Sequence, residues 1–397
     1  MTDNKIKLFV DAHSFDKEFQ GTQTFIRELY TQLMSDHPEL DIYFGASNTA
    51  NIQKIFPELP SANILPYKNR KISLLRFVYD IPEYIEKYQF NFAHFQYIIP
   101  KKKAGCRYIV TLHDVLFNDY KNDFSLIYRL TRSVLFGRSI RRADIKTTVS
   151  DYSKGRICQH YNLSAKQVHV IRNGVNDSLM HFQDSRHEAV SLVRQKFGVE
   201  NFILYTSRFE PRKNQLLLLK KYLKLDLYKK GIALVFIGSE SVKIPALTKL
   251  INELTQEQRK YFFWFKQVQQ ADLAAFYRAC RLFVYPSKAE GFGIPPLEAA
   301  VCQAPVLCSS ATAMKDFIFF EPYRFDPSDE RDFEQKLLMM LSLPPDKTFI
   351  SRVATRIQQQ YHWKKSSEKF YDLLQDHTNK QTVYETEDSD FRYTRNT

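Results

Sequence analysis

A chain of 397 residues with ordinary hydrophobic content and 14% aromatic side chains exceeds what one ordinary core needs, so two domains are expected. No apolar run approaches the ~18 residues of a membrane span, and Met1-Thr-Asp-Asn-Lys lacks the basic-then-apolar order of a secretory leader, so a cytoplasmic setting is expected. The five cysteines (Cys106, Cys158, Cys280, Cys302, Cys308) are odd in number and contain no CxxC pair, which argues against a disulfide framework or a zinc site and fits a reducing compartment.

The net charge of +13 is unevenly spread, with 19 Lys and Arg against 8 Asp and Glu between Arg70 and Arg172. An anionic membrane surface, an acidic ligand or nucleic acid would each suit such a patch. No RNP, zinc-finger or helix-turn-helix signature accompanies it, so no nucleic-acid partner is expected. A solvated basic face that serves solubility alone is the competing reading.

Residues 5–11 read as a first strand ending in Asp11, residues 19–24 as a polar glycine turn, and residues 25–34 as a helix with Phe25, Ile26, Leu29, Tyr30 and Leu33 on one stripe. Strand, glycine loop, helix opens a doubly wound α/β domain. Strands follow at 42–44, 92–95 and 107–112, the last landing on His113 and Asp114. Ligands gather beyond the carboxyl ends of such strands. Residues 125–146 form a helix in which Arg129, Arg132, Arg138, Arg141, Arg142 and Lys146 alternate with apolar residues. That pattern suits either an anionic lipid surface or a helix packed on its own domain with an Arg-rich outer face. Strands at 145–149 and 167–171 precede Asn173-Gly174, a turn signal. The polar, aperiodic residues 177–187 are expected to link the domains.

A second series of α/β units then begins, with strands at 201–206, 232–237 and 261–265 and helices at 215–225, 246–254 and 271–280. Residues 282–285 are a short apolar strand, and Glu290-Gly-Phe-Gly-Ile-Pro-Pro-Leu-Glu298 follows it. Gly291 and Gly293 permit close backbone approach, and Pro295 and Pro296 are tolerated only near a helix start. Such a turn is a ready anion site, although carboxylates also favour helix N-termini for the macrodipole alone. Residues 332–341, 350–361 and 363–374 read as helices, and residues 379–397 as a polar, disordered tail.

Glu290-x7-Glu298 resembles the Glu-x7-Glu motif of the retaining glycosyltransferases of GT-B family 4. Other blocks are similar to that family in the same order: Val110-Thr-Leu-His-Asp114, Thr148-Val-Ser-Asp-Tyr-Ser-Lys154, Val170-Ile-Arg-Asn-Gly-Val175, and Leu204-Tyr-Thr-Ser-Arg-Phe-Glu-Pro-Arg-Lys-Asn214. The resemblance implies two Rossmann-like domains facing an interdomain cleft. Residues 1–177 would bind acceptor and 188–345 the nucleotide-sugar. Helices at 346–376 would pack back on the first domain.

It also implies a retaining, metal-independent hexosyltransferase with no cofactor, acting from a UDP- or GDP-linked sugar on a glycan or lipid-linked saccharide in cell-surface polysaccharide synthesis. Peripheral contact with the inner face of an anionic membrane is a further expected partner. Arg208, Lys213, Gly21, Gly293 and Ile294 would bind the donor diphosphate. Glu290, Gly291, Phe292 and His113 would bind the donor sugar, with Glu290 and His113 important to the reaction. Glu298 would take the ribose. Two departures stand out: Gln20-Gly21-Thr22 keeps one glycine where the family often has two, and no acidic residue is evident at 310–315. A non-catalytic GT-B-like binding protein is the alternative, against which intact Arg208, Lys213, Glu290 and Glu298 speak.

Overall fold

The computed structural model describes residues 5–16, 21–68, 72–181 and 184–393. Two parallel sheets make the scaffold. The first holds β1 (Lys7–Asp11), β2 (Asp41–Ala46), β3 (Ile64–Pro66), β4 (Phe92–Gln96), β5 (Arg107–Thr111), β6 (Ile145–Thr148) and β7 (Val168–Val170), in the order β3-β2-β1-β4-β5-β6-β7. The second holds β8 (Phe202–Thr206), β9 (Ala233–Ile237), β10 (Phe262–Phe265), β11 (Leu282–Tyr285), β12 (Val306–Ser309) and β13 (Arg324–Phe325), in the order β10-β9-β8-β11-β12-β13. Phe-Ile-Leu-Tyr-Thr in β8 and Ala-Leu-Val-Phe-Ile in β9 are buried throughout, as a parallel sheet covered on both faces requires.

Each sheet reverses its winding once, between β1 and β4 and between β8 and β11. At such a switch point the connections leave in opposite directions and open a crevice beyond the strand ends. Asp11 ends β1 with His13 just beyond it, Gln96 ends β4, and His113, Arg208 and Glu290 lie beyond β5, β8 and β11. The two crevices meet in one cleft of about 490 Å³ lined from both halves of the chain.

Gly291 is one contact between the walls, beside the Tyr120 hydroxyl, which donates to the Lys288 carbonyl at 3.1 Å. A Cβ there would fall 2.9 Å from the Asp114 side chain and 3.1 Å from the His113 carbonyl oxygen. Its carbonyl accepts hydrogen bonds from Ser150 Oγ (2.7 Å) and Ser153 Oγ (3.1 Å), at the start of the Asp151–Tyr161 helix that Ser150 caps.

Three local readings change. The expected linker at 177–187 contains the Asp177–Met180 helix, with Leu179 and Met180 buried, and Ser185 caps the Arg186–Phe197 helix with a capping box. Tertiary burial of two apolar residues overrides a polar local composition. The helix expected at 125–146 ends at Arg142, because residues 145–148 are drawn into β6. The last helix runs Trp363–Tyr393, through most of the stretch expected to be a disordered tail; residues 394–397 lie outside the described residues. A helix anchored by tertiary contacts propagates cheaply through Gln, Lys and Glu.

That anchoring is on the first domain. The Phe25 and Trp363 rings lie 6.1 Å apart, Tyr30 and Phe370 6.1 Å, and His37 stacks on Tyr371 at 3.6 Å. Gly174 makes room for the crossing, since a Cβ would sit 2.7 Å from the Trp363 backbone nitrogen. Gly174→Ala is expected to cost about 1–3 kcal/mol, read as a lower urea midpoint at an unchanged m-value.

Candidate active site

The exit loop of β8 turns through a short 3-10 segment, Pro211–Lys213, and is closed by Asn214 in the left-handed region (φ 62°). The turn aims Lys213 inward. Its Nζ donates to Glu290 Oε1 (2.6 Å) and to the Tyr285 hydroxyl (3.0 Å), and Tyr285 in turn donates to the same Oε1 (2.8 Å). Arg212 Nη1 donates to Glu290 Oε2 (3.3 Å) and to the Ala289 carbonyl (2.6 Å). Its Nη2 pairs with Glu210 at 2.8 Å, and Arg208 pairs with the other Glu210 oxygen at 3.1 Å. Three cations and two carboxylates thus interlock where β8 and β11 end.

Burial sets the electrostatics. It would raise the Glu290 carboxyl, but the Lys213 ammonium and Arg212 guanidinium outweigh it and hold that group at about 2. Burial pushes Lys213 down against the pull of Glu290. Arg212 is held well above its ordinary range: burial lowers it, and Glu290, Glu210 and Asp114 more than compensate.

Across the cleft His113 is buried, and that burial drops its imidazole to about 3, so the ring is neutral. Its Nε2 lies 2.8 Å from Gln96 Oε1. A carbonyl oxygen only accepts, so the proton is on Nε2 and Nδ1 keeps its lone pair. Phe25 meets the ring edge-on at 5.0 Å and Tyr97 flanks it at 5.3 Å. Asp114 is raised by burial despite Arg212 opposite.

The remaining sequence-assigned residues divide. Glu298 lies in the Ile294–Val301 helix and accepts from the Tyr277 hydroxyl (2.9 Å). Burial, aided by Glu28 of the first domain, lifts it to about 7. Gly293 caps that helix at φ +96°, with Met314 against its missing Cβ, and Ile294 begins it. Gly21 is exposed at the start of the Gly21–Asp36 helix, whose first turn carries no acidic residue. The Phe292 ring is buried against Phe317 (6.1 Å) and Tyr361 (5.9 Å), so only its backbone can face a ligand. Gly291 is spent on the domain contact described above.

Arg212, Glu210, Asp114 and Gln96 had no role assigned from sequence. Arg212 could have been found: it stands one residue before Lys213 in the same strand-exit loop. Gln96 could not, because nothing local distinguishes a glutamine that orients a histidine 17 positions on. Among the described residues no group of three or more His, Cys, Asp or Glu is gathered to hold a metal ion.

Two parallel α/β domains closing on one cleft, with cations on one wall and a neutral histidine on the other, define a GT-B protein. Residues 19–179 match the family described as Glycosyltransferase Family 4, and residues 191–355 match Glycosyl transferases group 1; the chain belongs to these GT-B group 1 glycosyltransferases. It is 30% identical over 207 residues to O-antigen chain mannosyltransferase B of Escherichia coli, covering 51% of this chain and 53% of that protein. It is 26% identical over 236 residues to O-antigen chain mannosyltransferase RfbU of Salmonella typhimurium, covering 59% and 61%. The matches thus span little more than half of these relatives.

The fold is shared with sucrose-phosphate synthase of Thermosynechococcus elongatus, at TM-score 0.72 and 19% identity over 94% of this chain and 99% of that one. HepE of Anabaena, solved with UDP, gives 0.68 at 15% over 94% and 100%.

The two glutamates are expected to titrate oppositely. Glu290 is depressed, so its contribution to stability is complete above about pH 4.5 and is lost as pH falls towards about 2. Glu298 is raised, so its contribution is complete below about pH 4.5 and is lost as pH rises through about 7. Urea midpoints of the native protein, Glu290→Gln and Glu298→Gln from pH 3 to 8 should show each substitution flattening its own window.

Proposed function

We propose that this protein is a retaining glycosyltransferase moving a hexose from a UDP- or GDP-linked donor to a glycan or lipid-linked saccharide in cell-surface polysaccharide synthesis. The observation that carries the reading is the cationic loop Arg208, Arg212 and Lys213, gathered beside buried Glu290 and facing neutral His113. The mannosyltransferase relatives support the polysaccharide setting, and the UDP-bound neighbour supports a nucleotide donor.

Cleaving the bond from the anomeric carbon to the diphosphate builds negative charge on the leaving group. Fixed cations and helix-terminal N–H groups stabilise that charge without reorganising. Arg208 and Lys213 supply the cations, and the backbone at Gly293, Ile294 and Gly21 supplies the dipoles; the reading requires no metal ion. Two of the three Lys213 N–H groups have partners, and the third is left for a phosphate oxygen among the described residues.

Glu290, ionised and accepting on both oxygens, grips donor-sugar hydroxyls rather than donating a proton. His113 offers Nδ1 as an acceptor near the reacting centre. Glu298 takes the ribose hydroxyls. Glu290 is too tightly ion-paired to serve as a nucleophile, which favours the leaving diphosphate as the group that takes the acceptor proton on the same face.

Membrane contact is part of the proposal. Among the described residues, ten of the fifteen exposed large apolar side chains fall in two segments: Ile72, Leu74, Val78 and Tyr79, and Leu126, Ile127, Tyr128, Leu130, Val134 and Leu135. Leu74, Phe77, Tyr128 and Arg132 from these segments line the cleft. The Leu126–Arg142 helix holds five arginines and no carboxylate, which matches an anionic inner leaflet. No helix among the described residues is long and apolar enough to cross a membrane.

Lys213→Ala and Glu290→Ala are each expected to lower transfer by about 10²–10³-fold with the fold retained by circular dichroism; undiminished transfer in both would refute the site. A thermal-shift screen of UDP-, GDP- and ADP-sugars should find one stabilising donor, and a folded sample that binds none overturns the function. In liposome sedimentation, binding should require anionic lipid and should fall in an Ile127→Glu, Val134→Glu double variant; equal binding to neutral vesicles removes the membrane claim.

A further inference from the structure

Cations that converge on a cavity without acidic partners raise its potential and attract an anion. The second domain has such a cavity away from the cleft. Arg186, Arg278, Arg281 and Lys347 line a recess of about 620 Å³ together with Pro305, Met340, Pro344, Pro345 and Ile350, and among the described residues no carboxylate lines it.

Its position separates it from the cleft. Arg281 stands immediately before β11 and Pro305 immediately before β12, at the strand starts, whereas Arg208 and Glu290 lie beyond strand ends. The 4 residues of β11 put about 13 Å of extended chain between the two faces. No described residue lines both cavities. Substrates of open α/β sheets gather beyond the carboxyl ends of the strands, so transfer does not account for this recess.

The cations are held by groups that do not neutralise them. Arg186 donates to the carbonyls of Ala279 (3.3 Å) and Cys280 (2.8 Å). Arg278 donates to those of Asp184 (2.9 Å) and Cys302 (3.3 Å), and Arg281 to Asn201 Oδ1 (3.3 Å) and the Leu341 carbonyl (2.8 Å). These acceptors are neutral, and each guanidinium keeps further N–H groups to donate. Lys347 opens the Lys347–Gln360 helix, and its ammonium has no partner among the described residues. Asp346 caps that helix by accepting from the Phe349 N–H (2.6 Å) and does not line the recess. By contrast Lys196, Arg208, Arg212 and Lys221 of the same domain each face an acidic side chain.

Charge and shape together select the ligand. A carboxylate brings a single negative charge to the recess. A phosphate monoester brings about −1.5 to −2 and three acceptor oxygens, which guanidinium forks take in pairs. Cavities of about 300–1,000 Å³ enclose whole organic molecules, and the prolines, Met340 and Ile350 offer an apolar floor to the rest of such a ligand.

We infer that the second domain carries a site for a small organic phosphate on the face opposite the cleft. Arg186, Arg278, Arg281 and Lys347 hold the phosphate, and the apolar floor holds the organic part. The site goes beyond the transfer reaction and does not depend on it.

The test is isothermal titration calorimetry of the full chain with phenyl phosphate and inorganic phosphate as probes, in a low-salt buffer free of other phosphate. Phenyl phosphate should bind at one site and more tightly than inorganic phosphate. Lys347→Glu and Arg281→Gln should each weaken it by about tenfold or more, the worth of one hydrogen bond to a charged group. Lys213→Ala, in the cleft, should leave it unchanged. Lys347→Glu breaks no hydrogen bond and puts an acid at a helix start, where it is favourable, so it keeps the test open if Arg281→Gln does not fold.

Native protein that binds no phenyl phosphate overturns the inference, as does binding unaltered in Lys347→Glu and Arg281→Gln. Binding lost in Lys213→Ala places the anion in the cleft and overturns it too. Equal affinity for the two probes overturns an organic ligand.

Discussion

Burying Glu290 with Lys213 and Arg212 is the constraint on which the rest of the site depends. Each ion loses its hydration at a cost of several kcal/mol, and only close mutual contact restores it. The contacts are close, and Tyr285, Ala289 and Glu210 satisfy most of what remains. The cluster therefore locks the exit loop of β8 to that of β11 across the switch point of the second sheet. Removing one member leaves an uncompensated charge, the situation in which breaking a buried pair costs about 3–5 kcal/mol. Electrostatics and architecture here are one device: the ion cluster holds the loops, and the loops aim the cations.

The facing wall reaches a different state by the same means. Among the described residues no counter-charge offsets the burial of His113, which keeps it neutral, while Glu290 is buried as deeply and is kept ionised by its neighbours. The two walls thus set fixed charge on one side against a neutral hydrogen-bonding ring on the other. The walls approach closely at Gly291, whose missing side chain admits Asp114 and whose carbonyl is held by Ser150 and Ser153.

Much of this was legible in the residues. Both α/β series, the strand ends bearing His113 and Arg208, and the glycine turn before a proline-started helix follow from local periodicity and backbone chemistry. What stayed hidden depends on distant partners. Arg212 has its meaning only once Glu290, Glu210 and Asp114 surround it, and Gln96 only once His113 lies beside it. Phe292 reads as a sugar-facing aromatic until Phe317 and Tyr361 enclose it. The polar stretch at 177–187 hides a packed helix because burial of Leu179 is decided by the second domain. Whether the Leu126–Arg142 helix shows its apolar residues to solvent or to a core could not be told from their alternation with arginines.

The return of the Trp363–Tyr393 helix to the first domain governs how the chain is made. Phe25, Tyr30 and His37 leave the ribosome more than 330 residues before Trp363, Phe370 and Tyr371, the rings they pack against. During synthesis the Gly21–Asp36 helix must wait with an apolar flank open, while the second domain has all its strands in hand first. Such distant pairings slow folding and leave transient surface that invites association. The first domain is thus completed only after the strands of the second have been made.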